Sequence, residues 1–98
     1  MEVVFKIKKQ NLQKVKDLFL KDDVISRASV VFKEAKSLGF TGDNYYCYIS
    51  GVNEACEKAK KLINDFGELA KKEEEEKIID KIKQEEESAM SGFGGIFG

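Results

Sequence analysis

The sequence predicts a small α+β domain, a βαββα two-layer sandwich followed by an extended charged C-terminal helix and a flexible tail. Three observations carry that prediction. Apolar residues alternate at period two over Val3 to Lys8, the mark of a half-buried strand, and Tyr45 to Ser50 is a short run with aromatics on both faces, bounded by turn residues, that also reads as a strand. They recur at steps of three and four around residues 12–21 and again after Asn53, the mark of amphipathic helices. The 98 residues contain no stretch that reads as an interdomain linker, so one core is expected.

The first strand places Val3, Phe5 and Ile7 on one side and Val4, Lys6 and Lys8 on the other. Asn11 is a suitable N-cap for a helix over about residues 12–21, in which Leu12, Val15, Leu18 and Phe19 share a face and Lys14, Lys16 and Asp17 point to solvent. Val24 to Gly39 admits two readings. As a helix it carries the stripe Val24, Ala28, Val31, Ala35 and Leu38 and stops at Gly39. Alternatively Ile25 to Phe32 is a strand and only residues 33–38 are helical. The strand reading is preferred, because a lone two-stranded sheet is a weak platform for three helices.

Thr41-Gly42-Asp43-Asn44 is turn chemistry. The strand after it sets Tyr45, Cys47 and Ile49 on one side and Tyr46 and Tyr48 on the other. Gly51 ends that strand, Asn53 can cap, and Ala55, Ala59, Leu62, Phe66 and Leu69 line one face of a long helix. The stripe stops at Lys71-Lys-Glu-Glu-Glu-Glu-Lys77 and restarts with Ile78, Ile79 and Ile82. Residues 71–90 therefore either project as a charged helical arm, supported by pairs such as Glu73 with Lys77, or break and fold back. The stretch 91–98 is too rich in glycine to favour helix and is expected to be a flexible tail beyond the α+β body of residues 1–70. The order of elements resembles the ferredoxin-like layout, with helices on one sheet face.

Composition narrows the function. Charged residues make up 36% of the chain, above the roughly 25% usual for soluble domains, a thermophile-like balance of Lys and Glu with Arg27 the one arginine. A net charge of −1 supplies no long-range field for nucleic acid or anionic lipid. No run approaches the roughly 18 apolar residues of a membrane span, and the start of the chain lacks a signal-like segment, so a cytoplasmic protein with no membrane contact is expected.

Histidine is absent, and Ser26, Ser29 and Ser37 have no base at motif spacing. Asp22-Asp23 and Glu73 to Glu76 read as helix-end and solvated charges. Two cysteines without histidine do not complete a four-ligand zinc site. Cys47 reads as a core side chain; Cys56 falls in the first turn of a helix, where a thiolate is favoured, and is a candidate reactive thiol. No enzyme, cofactor or metal is expected.

Gly39-Phe40-Thr41-Gly42 has the GxxG form, and Tyr48-Ile-Ser-Gly-Val-Asn-Glu-Ala-Cys-Glu-Lys-Ala-Lys-Lys-Leu-Ile63 resembles the final strand–helix unit of KH domains, over about thirty residues. In that family the loop joins two helices and clamps the RNA backbone; here a strand follows it and Asp43 adjoins it. The resemblance implies RNA binding at the GxxG loop; separately, Lys6, Lys8, Lys33 and Lys36 with the tyrosine row are the candidate residues for RNA or single-stranded nucleic-acid binding on a sheet face. A small-ligand regulatory domain is a third class, by fold analogy.

The leading expectation is a protein-interaction or self-association module. Helices on one face leave Tyr46 and Tyr48 exposed on the other, and Phe93, Ile96 and Phe97 stand among glycines at the chain's end. These five are the candidate partner-binding residues, with a protein partner or a second copy as occupant.

Overall fold

Segments rich in β-branched and aromatic residues form the strands β1 (Glu2–Ile7), β2 (Ser29–Glu34) and β3 (Tyr45–Ser50). The amphipathic segments form α1 (Leu12–Lys21) and α2 (Asn53–Leu62), and a short strand β4 (Gly67–Leu69) precedes α3 (Lys72–Phe97). This computed structural model describes residues 1–97, with side chains described for residues 1–86. Helix α3 runs on to Phe97 through the glycine-rich stretch expected as a tail, whose side chains lie outside those described.

The strands form one four-stranded antiparallel sheet in the order β2-β3-β1-β4. Register fixes which residues share a face. Phe5, Cys47 and Phe32 lie in one row across β1, β3 and β2, and Val4, Tyr48 and Val31 in the next. The first face, with Val3, Phe5, Ile7, Cys47 and Ile49, packs against Val15 and Phe19 of α1 and Cys56 and Ala59 of α2. The rings of Phe5 and Phe19 are 6.1 Å apart, and fully buried Ala55 and Ala59 let α2 come close to the strands.

The chain is an α+β domain as expected, but it differs from a two-layer sandwich in two respects. The helix beginning at Asn53 ends at Leu62, and Ile63–Asp65 makes a 3-10 turn before β4 pairs with β1, Gly67 opposite Ile7. Gly67 explains why. A Cβ there would sit 2.7 Å from the Lys6 carbonyl oxygen, a backbone approach that no other residue permits without displacement. Leu69, read as part of a helical stripe, is 53% exposed on the edge strand.

The second difference is α3. The chain folds back after β4, with the Ala70 amide donating to the Val4 carbonyl at 3.0 Å, and α3 covers the second sheet face. Ile78 and Ile82, one helical turn apart, pack with Val4, Tyr46, Tyr48 and Leu38. A sheet apolar on both faces needs cover on both. Three polar ties hold the helix there: Tyr46 Oη donates to Glu74 Oε2 at 2.5 Å, Lys83 pairs with Glu2 at 3.3 Å, and Lys33 with Glu85 at 3.2 Å. Within the run 71–77, Glu74 and Glu75 are therefore half-buried.

Between α1 and β3 the strand reading holds, shifted toward the C-terminus. Ile25–Arg27 is a 3-10 turn, Ser29–Glu34 is the strand, and Lys36–Leu38 is a single turn ended by Gly39 at φ 87°. Asp22 causes the shift. Its Oδ1 accepts from the amides of Val24 (2.9 Å) and Ile25 (3.0 Å), turning the chain before β2, and its Oδ2 meets Lys58 of α2 at 2.8 Å. The Lys58 ammonium, with those amides, holds the Asp22 carboxyl below its ordinary range.

Because Ile78 is fully buried between α3 and the sheet, Ile78→Ala is expected to destabilise the domain by about 2–5 kcal/mol in urea unfolding, with α3 loosened first in amide exchange.

Candidate functional site

Strand β2 reads Ser-Val-Val-Phe-Lys-Glu, β-branched and aromatic in its centre, and lies at one edge of the sheet with β3 on its only paired side. The hydrogen-bond alternation says which of its backbone groups are free. The Ala35 amide donates to the Asn44 carbonyl at 3.0 Å, so in this continuous antiparallel register residues 29, 31 and 33 bond toward β3. The amides and carbonyls of Val30, Phe32 and Glu34 therefore point away from the sheet. Among the described residues none of these three amides has a partner, while the Glu34 carbonyl accepts from Ser37 Oγ at 2.8 Å and keeps a second lone pair.

Among the described residues, side chains leave this edge open. Val30, Val31, Phe32 and Lys33 are half-buried, with no proline and no bulge along the strand. Lys16 of α1 stands with Nζ 5.6 Å from the Phe32 ring centre, and Leu20, one turn further along the same helix face, is 58% exposed. The opposite edge, β4, spans only Gly67–Leu69.

The tyrosine row is placed otherwise than expected. Tyr46 and Tyr48 are 3% and 6% exposed, because α3 lies over them, so the sheet face they occupy is not an open surface. Phe93, Ile96 and Phe97 lie outside the described side chains. The lysines of the nucleic-acid reading do not form one patch around tyrosines: Lys33 is tied to Glu85, Lys36 lies 3.7 Å from Asp43, and Lys6 and Lys8 line a cleft of about 410 Å³ with Asn11, Asn44 and Glu68. Gly39 and Gly42 both take positive φ, and their loop joins a 3-10 turn to β3.

Both cysteines are buried. Burial pushes the Cys47 thiol well above its ordinary value, and Cys56 Sγ donates to the Met1 carbonyl at 3.6 Å. Cys56 is thus packed beneath α2 rather than presented at its N-terminus. Among the described residues no group of three or more His, Cys, Asp or Glu side chains is arranged to hold a metal ion, and no helix is long and apolar enough to cross a membrane.

The β2 edge was not among the expected site residues. Its signal in the sequence is indirect: only strand order reveals an edge, and strand order is not written in periodicity. No protein-family model matches the chain, and no curated protein or solved structure matches it.

Two measurements probe these environments. Burial first, and the Glu74 carboxylate second, push the Tyr46 phenol up to about 12. Its contribution to stability is present below the unfolded phenol value near 10 and is lost as pH rises from there through about 12. Tyr46→Phe should flatten that alkaline slope in denaturant titrations across the same window. Under native conditions, alkylation followed by mass spectrometry should leave Cys47 and Cys56 unmodified, with both labelled once urea unfolds the chain.

Proposed function

We propose that this chain is a non-catalytic association module that works by strand addition, its β2 edge accepting a strand from a protein partner or from another copy of itself. The observation that carries the reading is the run of outward amides at Val30, Phe32 and Glu34, unpartnered among the described residues on a strand with an apolar centre. Added strands gain affinity from main-chain hydrogen bonds and specificity from alternate side chains. The connectivity β1-α1-β2-β3-α2-β4 with strand order β2-β3-β1-β4 supports a ferredoxin-like arrangement, which leaves β2 as a full-length edge. A cytoplasmic setting and contributions from Phe93, Ile96 and Phe97 belong to the same proposal. The nucleic-acid alternative is weakened because its stacking residues, Tyr46 and Tyr48, are covered.

Isotope-labelled protein placed in lysate of the source cells tests this directly by amide exchange. The amides of Val30, Phe32 and Glu34 are expected to gain protection relative to dilute purified protein, and Glu34→Pro to abolish the gain. Proline at 34 removes only an outward donor, leaving the β2–β3 ladder intact. Unchanged exchange at all three amides would remove the edge as an interface.

A further inference from the structure

Resting on the strand-addition reading, we infer that the occupant is β2 of a second copy, paired antiparallel about a two-fold axis normal to the sheet that passes midway between Phe32 and its counterpart in the second copy. Such an axis keeps the α1/α2 layers of both copies on one side and the α3 helices on the other. Residues facing each other across the seam must then have the same parity, since successive side chains alternate between faces. The hydrogen-bonded pairs must also be drawn from Val30, Phe32 and Glu34, whose backbone groups point outward.

Two registers meet both conditions with the strands well overlapped. With Phe32 opposite the partner's Phe32, Val30 faces the partner's Glu34 and Glu34 faces the partner's Val30, so every outward group of the strand is engaged. With Phe32 opposite the partner's Val30, Glu34 faces the partner's Ala28. The Ala28 amide already donates to the Ile25 carbonyl at 3.0 Å, and the Glu34 pair is lost. The first register satisfies more buried backbone groups and is the one inferred.

Charge favours the same choice. Glu34 lies on the α1 face of the sheet, and in this register the partner's Glu34 is the diagonal neighbour of Phe32, over whose ring Lys16 holds its ammonium at 5.6 Å. The two-fold repeats the contact, giving Lys16 and the partner's Glu34 a reciprocal pair. On the α3 face Val31 meets the partner's Lys33 as a non-hydrogen-bonded pair, where Cα atoms approach to about 4.5 Å. The product is a continuous eight-stranded sheet, four strands from each copy.

That last pair provides the test. Val31→Cys and Lys33→Cys proteins are prepared separately, mixed, and oxidised mildly; the buried native cysteines do not compete. The mixture is expected to give a disulfide-linked heterodimer joining residue 31 to residue 33, with far less product from either variant alone. Equal self-linking by Val31→Cys would overturn the register, because it places Val31 on the axis. Light scattering of the unsubstituted chain is expected to show a dimer that Glu34→Pro converts to monomer with an unchanged circular dichroism spectrum. Lys16→Glu should weaken dimerisation roughly fivefold, and Lys16→Glu combined with Glu34→Lys should restore it. A chain monomeric at every concentration, and unlinked in the mixture, refutes the second copy as occupant; protection of the β2 amides in lysate would then still uphold strand addition by another protein. Loss of both results removes the two readings together.

Discussion

The structure depends on a sheet that is apolar on both faces. Val3, Phe5, Ile7, Cys47 and Ile49 require cover on one side, and Val4, Tyr46 and Tyr48 require it on the other. Burial of apolar area is the main favourable contribution to a domain of this size, and neither layer of helices can be spared without returning part of a core to water. The helix that closes the second face is the most charged part of the chain. Ile78 and Ile82 supply its hold on the sheet, and Glu74, Lys83 and Glu85 fix where along the strands it lies. The exposed pairs among these contribute little each, so they orient α3 more than they stabilise it.

How much of this was legible follows from how each element advertises itself. β1 shows alternation, α1 helical spacing and β3 a bounded run of aromatic and β-branched residues, and their boundaries in the sequence agree with the structure to within a residue or two. β4 carries none: three residues, one of them glycine, show no period, and Phe66 and Leu69 happen to extend the helical spacing of α2. Gly67 was the available clue, since a glycine inside an apparent helix weakens it by about 1 kcal/mol relative to alanine. The docking of α3 was hidden for another reason. Its anchors are separated from the body by a block of charges, and the matching apolar residues, Val4, Val31 and the tyrosines, are distant in sequence. The tyrosine row was located correctly on its strand face, but its exposure was a tertiary question.

The candidate site exchanges one kind of surface for another. Once α3 covers the tyrosines, the open feature of the sheet is its β2 margin. There the unmet groups belong to the backbone, and their positions follow from hydrogen-bond parity rather than from side-chain identity. Natural edges are commonly blunted by proline, bulges or inward charge. β2 has Lys33, turned toward Glu85 on the α3 side, as its one such device along an otherwise apolar centre.

The lateness of α3 in the chain has a consequence for biosynthesis. The body through β4 is synthesised before Ile78 and Ile82, the residues that anchor α3. For that interval the nascent chain presents Val4, Tyr46 and Tyr48 uncovered beside an open strand margin, the combination most prone to non-native association. The dense block of glutamates just ahead of the two isoleucines arrives first. Its charge favours solvation of any state in which the helix has not settled onto the sheet.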